Sequence, residues 1–354
     1  MTALTTSIVM ATYNGAAFLR PQLESLAQQM LKPCEIVIND DGSNDQTPEI
    51  VTEFIRSSGL NVRFERNAQR LGYADNFLTA ASRATGDLIA FCDQDDVWHP
   101  EKLARVSAAF ADPSIVLCAH RARLIDAEGE PIGVLRQGED SDRLHPARTL
   151  SPFRVNFGFT ITFRRQLLSV IPSAGRVVDY MSGAPRLSHD RWIGFLASHF
   201  GATFEMADYL VDYRQHGRNV FGAHHKPNLG TAEQQREARL RYCRAANEFL
   251  AQMDRVDRAA ASAFPAFDRD QSRAFLARLA QKETQRGRVY EATNPVSAVG
   301  HVASNLFNAT YAAPGAALPR PGPVARDLYF SLFKVRGLTP SPEPMHKAFD
   351  EGEA

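Results

Sequence analysis

The sequence predicts an α/β protein with a mostly parallel sheet covered by helices, followed by a mainly helical C-terminal extension. Three observations lead there. Over the first 120 residues, short apolar runs alternate with segments whose apolar residues recur at helical spacing. Polar loops bearing Gly, Asn or Asp follow directly on three of the apolar runs. Past residue 225 the strand signals give way to stretches rich in Ala, Arg, Gln and Glu. The expected division is therefore one domain over 1–225 and a helical region over 226–354.

Taken in order, 7–11 (SIVMA) reads as a buried strand, and Phe18, Leu19, Leu23, Leu26 and Met30 as the apolar face of a helix. A second strand, 35–38, ends in "NDDGS", and Asp45 is placed to cap the helix carrying Ile50, Val51, Phe54 and Ile55. A strand over 61–64, a helix over 74–84 and a strand over 87–92 follow, then a helix from Pro100 and a strand over 114–119. Such a β-α-β-α series argues for parallel strands joined by crossover helices. Ligands of such sheets bind beyond the carboxyl ends of the strands, so "TYNG", "NDDGS" and "CDQDD" should converge on one edge. Further on, a turn is expected at 126–130, strands at 157–163 and 209–213, and a helix at 193–200. Helices run through 231–290, broken near Pro265.

Composition narrows the function classes. Lys plus Arg equals Asp plus Glu at 40 each, so no global field draws in nucleic acid. Cys34, Cys92, Cys118 and Cys243 show no CxxC spacing, which fits a reducing compartment better than a disulfide framework. The start lacks a basic, then apolar, leader pattern, and no stretch reaches the roughly eighteen apolar residues of a spanning helix. A cytoplasmic protein, working as far out as the inner face of the cell membrane, is expected.

The sharpest chemical feature is "AFCDQDDVWHP", 90–100. Asp93, Asp95 and Asp96 crowd together after an apolar strand with no Lys or Arg before Lys102. Carboxylates so spaced can face one hard cation, Mg²⁺ or Mn²⁺, for which a nearby fixed positive charge would compete. Starting the next helix would explain one acid, not three. In "NDDGS", Asp40 and Asp41 could accept hydrogen bonds from a base or ribose, while turn chemistry alone accounts for Gly42, Ser43 and Asp45. "TYNG" offers Thr12, Asn14 and a Tyr13 able to stack on a base, or an ordinary turn. Asp190 in "SHDRW" suits a general base, although it or Ser188 could equally cap a helix. His216 in "DYRQHGRNV" could supply a metal ligand or a phosphate contact, or be structural. The chain has no GxxxxGK[ST], HExxH or GxSxG pattern. A phosphatase-type DxD normally sits at the first strand, whereas three βα units precede Asp93 here.

Together, "SIVMATYNGAAFLRPQLESLAQQ", "EIVINDDGSNDQT", "NAQRLGYADNF", "ATGDLIAFCDQDDVWHPEKL", "SHDRW" and "YRQHGRNV" resemble inverting family 2 glycosyltransferases, rhamnosyltransferase-like members of bacterial surface-polysaccharide synthesis in particular. The resemblance spans roughly residues 6–222. It implies a GT-A fold, a Rossmann-like nucleotide-binding architecture. It implies nucleotide-sugar contacts from Thr12, Tyr13, Asn14, Asp40, Asp41, Asn76, Asp93 and Gln94. Asp95 and His216 would hold Mg²⁺ or Mn²⁺, Asp190 would be the general base, and Arg218 would add a phosphate or acceptor contact. The implied donor is dTDP- or UDP-linked, the implied acceptor a glycan or lipid-linked glycan. Arg236, Arg239, Arg241 and Arg244 suit peripheral membrane contact or self-association into a homo-oligomer, or simply a solvated helical face. The competing expectations are a nucleotide-sugar-binding subunit without catalysis and a nucleotidyltransferase.

Overall fold

The computed structural model describes residues 4–135, 137–138, 140–217, 231–312, 319 and 321–335. The described residues group into two compact units, drawn from Met1–Pro227 with Asn247–Ala277 and from Asn228–Ala246 with Arg278–Ala354.

In the first unit the predicted series is present as β1 (Thr6–Thr12), α1 (Ala16–Ala27), β2 (Glu35–Asp40), α2 (Thr47–Ser58), β3 (Val62–Arg66), α3 (Tyr73–Arg83) and β4 (Leu88–Cys92). Next come β5 (Val97–Trp98), α4 (Lys102–Ala109), β6 (Ile115–Ile125), β7 (Pro131–Val134), β8 (Arg143–His145), β9 (Ile161–Arg164), α5 (His189–Phe200) and β10 (Ala202–Arg214). The main sheet path runs β3-β2-β1-β4-β9-β6-β10-β5. β1, β2, β3 and β4 pair in parallel. β2 and β4 are buried along their whole length, as expected of strands covered on both faces. β3, at the edge, carries Arg63, Glu65 and Arg66, charges that discourage pairing with another chain.

The two-residue period of the strands sorts the core. Ile8, Met10, Ile36, Ile38, Leu88 and Ala90 share a cluster with Leu19, Leu23 and Leu26 of α1, Val51 of α2, and Leu103 and Val106 of α4. Phe91 points to the opposite face, where it meets Phe77 of α3 at 5.3 Å and Phe163 of β9 at 5.1 Å between ring centroids.

Four strands, β5, β7, β8 and β9, pair antiparallel instead. β9 inserts antiparallel between β4 and β6, which a strand can do without a crossover helix. The strand expected over 157–163 therefore begins only at Ile161, after a 3₁₀ turn at Gly158–Thr160. Gly158 has room for no side chain there, because a Cβ would lie 2.6 Å from His189 Nε2.

The second unit contains parts of α6 (Ala232–Gln252) and α8 (Arg269–Glu291); the short α7 (Arg258–Ala261), which belongs to the first unit, lies between them in the chain. It continues with α9 (Pro295–Phe307), α10 (Pro321–Tyr329) and a π-helical turn, Phe330–Lys334. Val289, Tyr290, Ala298, Val302, Tyr311 and Phe330 form its core. Buried among them, Asp327 accepts two bonds from Arg286, at 3.0 and 2.9 Å, and one each from the hydroxyls of Tyr290 and Tyr311, at 2.7 and 2.9 Å. Four donors offset the desolvation of that carboxylate.

Candidate functional site

Register sets the site. Thr12 lies opposite Asp40, and Met10 opposite Cys92, so β1, β2 and β4 release their loops at one edge of the sheet. The carboxylate oxygens of Asp93, Asp95 and Asp96 come within 4.8 Å of one another there. His216 enters from the end of β10, its Nε2 2.8 Å from Asp95 Oδ2. The ring of Phe18, from α1, supports both ends of this arrangement. His216 stacks on it at 4.7 Å, and the Arg214 guanidinium lies 5.1 Å from its centroid.

Electrostatics follow from this crowding. Burial, then the charges of Asp95 and Asp190, push Asp93 up to about 8. Burial, then Asp95 and Asp93, raise Asp96 well above the usual carboxylate range. Asp96 Oδ1 accepts the Arg214 N–H at 3.1 Å, while its Oδ2 is buried and has no hydrogen-bond partner. A guanidinium, Arg214, and a buried amine, Lys102, also lie by the acids, where the expectation was that basic groups would be excluded. Lys102 is buried beneath, donating to the Phe159 carbonyl at 2.7 Å and lying 3.5 Å over the Trp98 ring; burial pulls it down to about 7. Arg214 donates through Nε to the Asp95 carbonyl at 3.0 Å and through Nη1 to the carbonyls of Asp126 and Ala127. It anchors the loop through its backbone. Clustered carboxylate oxygens with one imidazole fit a hard or borderline divalent cation, and the buried Asp96 Oδ2 is left without a hydrogen-bond partner beside them.

The loops beside this centre are tied to one another. Gln94 forms a two-point clamp on Tyr13: its Oε1 accepts the Tyr13 N–H at 2.9 Å and its Nε2 donates to the Tyr13 carbonyl at 3.1 Å. Asn14, at φ 47°, accepts the Asn44 N–H at 3.0 Å and donates its own N–H to Ser43 Oγ at 2.9 Å. Thr12 Oγ1 donates to Asp40 Oδ1 at 3.0 Å. Asp40 also accepts from Ser43 N–H at 2.9 Å and Arg66 Nε at 3.2 Å. Asp41 accepts the N–H groups of Leu71 and Gly72 at 2.7 and 2.8 Å, and Asn67 Nδ2 at 2.9 Å. Asn76, buried, donates to the Asn39 carbonyl at 2.9 Å and accepts from Asn39 and Asn67. Asp40, Asp41 and Asn76 thus hold together the loops beside the acidic centre. The Tyr13 ring is open, with the Arg70 guanidinium 4.0 Å from its centroid.

Asp190 sits in the first turn of α5. Its Oδ1 accepts the Ser188 hydroxyl and, at 2.7 Å, the Arg191 N–H. Arg191 is itself fixed, by 2.8 Å to Ser188 Oγ and 2.6 Å to the buried Asp179. The neighbouring His189 points the other way, into the core, stacked 4.0 Å from Phe77; burial pulls it down to about 4 and keeps it neutral. Asp190 lies near enough to Asp93 to raise its pKa, so the acidic loop and the α5 carboxylate share one electrostatic environment.

The acidic loop, the Tyr13 loop, His216 and Asp190 are therefore brought together, and Arg218 lies outside the described residues. Arg214, Lys102, Phe18 and the Ser188–Arg191–Asp179 chain escaped the sequence reading. Arg214 alone had a signal, as the cation two residues before His216.

The helix-covered sheet with an acidic loop beyond its strand ends has the GT-A fold, as its likeness to solved structures shows. More specifically, the model of glycosyl transferase family 2 matches residues 7–171. An uncharacterized glycosyltransferase of Nostoc sp. is 32% identical over 128 residues, 36% of this chain and 39% of its own length. A dTDP-rhamnosyl transferase, RfbG, of Shigella flexneri is 35% identical over 98 residues, 27% of this chain and 34% of its own. The chain thus spans well under two thirds of either relative. The crystal structure of S. aureus TarS 1-349 in complex with UDP-GlcNAc aligns with a TM-score of 0.51 at 16% identity, covering 93% of this chain and 89% of that one. That likeness is one of fold.

Proposed function

We propose that this chain transfers a sugar, rhamnose or another hexose, from a dTDP- or UDP-linked donor to a hydroxyl of a glycan or lipid-linked glycan, with inversion. The observation that carries the reading is the meeting of Asp93, Asp95 and His216 with a separately held carboxylate, Asp190, in one electrostatic environment. A relative that is a dTDP-rhamnosyl transferase and a fold neighbour in complex with UDP-GlcNAc support the choice of donor class.

In this reading Tyr13 lies against the base, and Asp93 faces the ribose. Asp95 and His216 hold Mg²⁺ or Mn²⁺, which when bound supplies Lewis-acid stabilisation of the leaving diphosphate. Asp190 takes the proton of the acceptor hydroxyl as its oxygen bonds to the anomeric carbon. The bond from that carbon to the diphosphate breaks, and its electron pair leaves with the nucleoside diphosphate. Ser188 and Arg191 N–H occupy Asp190 Oδ1, which orients Oδ2 for this task.

The test is Asp190→Asn. Nucleoside-diphosphate binding by calorimetry should be unchanged, while transfer to acceptor falls by about 10²- to 10⁴-fold. Full transfer by the variant would remove Asp190 from the role.

A further inference from the structure

The second unit carries an apolar surface that the proposed chemistry does not use. Helix α9, Pro295–Phe307, contains no Asp, Glu, Lys or Arg. Ala298, Val302 and Asn305 bury one side of it. The opposite side is a stripe, Val296, Gly300, Ala303 and Phe307, repeating at helical spacing. Its ends are almost fully open, Val296 at 84% and Phe307 at 92% exposure. The π-helical turn packs beside α9, sharing its core through Phe330, and exposes Leu332 at 52% and Phe333 at 68%.

Within the segment that carries the π-helical turn, the charges open to a partner have one sign. Across Pro321–Lys334 the ionic residues are Arg326, Asp327 and Lys334. Asp327 is buried in its ion pair with Arg286, so the charges left to meet a partner are the exposed Arg326 and the half-buried Lys334. An uncharged helix exposing Phe, beside an aromatic turn edged by cations, matches the interfacial region of an anionic bilayer, where apolar side chains enter the acyl boundary and cations meet lipid phosphates. A protein partner of matching charge would need acids set around an apolar patch, a narrower requirement. No helix among the described residues is long and apolar enough to cross a membrane, so the contact would lie along the surface.

We infer that α9 and the Phe330–Lys334 turn form a docking surface for anionic phospholipid membranes. This does not depend on the reading of the sheet-edge site.

The test uses the full chain with vesicles of phosphatidylcholine alone or mixed equally with phosphatidylglycerol. The protein should co-sediment with the mixed vesicles, less so as salt is raised. Phe307→Ser with Phe333→Ser should weaken partitioning about tenfold or more. As a second variant that keeps the apolar bulk, Phe307→Trp should shift its emission to the blue on vesicle addition, against the two buried native tryptophans, Trp98 and Trp192. Absence of vesicle binding, equal binding by the double variant, or no emission shift would overturn the inference. So would a dimer that the double variant dissociates without any vesicle binding, since the surface would then belong to a second copy.

Discussion

Replacing Gly15 by Ala should damage the protein only through Gln94. A Cβ built at Gly15 falls 2.2 Å from Gln94 Oε1, so the amide must move. The Gly15 backbone, at φ −98°, accepts Ala without strain. Because the obstructing atom ends a flexible side chain, the cost is the loss of what that end is holding, the two hydrogen bonds to Tyr13. At about 0.5–1.5 kcal/mol net per bond, and with Tyr13 open enough for water to replace part of them, Gly15→Ala should destabilise by about 1–2 kcal/mol. Gln94→Ala should cost a similar amount. In the double variant the clash has no partner, so its loss should match the single variants rather than their sum, a coupling of about 1–2 kcal/mol. Urea unfolding of the four proteins measures this, and nucleoside-diphosphate titration shows whether the loosened Tyr13 loop also binds more weakly. Additive losses would refute the clamp.

Two further outcomes are expected. His189, held down to about 4, and His199, held down to about 3, should each lower stability as pH drops from about 6.5 towards 4, because they stay neutral when folded but take up protons when unfolded. Each adds a slope approaching about 1.4 kcal/mol per pH unit, opposed by Asp93 and Asp96, which burial keeps protonated in the folded state. The histidine share is read as the difference in urea unfolding between native chain and His199→Gln from pH 7 to 5, and an unchanged slope in the variant would contradict it. Asp327→Ala should cost about 3–5 kcal/mol in denaturant unfolding, because it strands the Arg286 guanidinium among apolar neighbours. A loss under about 1 kcal/mol would mean that the second unit does not depend on that network.

The parallel half of the sheet was readable because its signals are local: apolar runs of strand length, helical spacing between them, and polar loops at their ends. Those loops converge as expected. β9 was not readable, since a four-residue strand inserted antiparallel between β4 and β6 is set by long-range pairing and by the Gly158–His189 contact. In the site, the crowding of Asp93, Asp95 and Asp96 announced itself in the sequence. The compensating charges did not, because Lys102 reaches them from below through α4 and Arg214 arrives from β10, more than a hundred residues on. Nor was it readable that Asp41 ties down Leu71 and Gly72 and that Asn76 holds the Asn39 carbonyl, because those partners are set by the fold.

The central claim is that the acidic loop and His216 bind a divalent cation together with a nucleoside diphosphate. Calorimetric titration of UDP and dTDP, with Mn²⁺ and with chelator, tests it most directly in the native chain and in Asp95→Asn. The account predicts binding that requires the cation in the native chain, tightens its hold on Mn²⁺ reciprocally, and is lost in the variant. Equal nucleotide affinity in chelator, or unchanged cation dependence in Asp95→Asn, would contradict it.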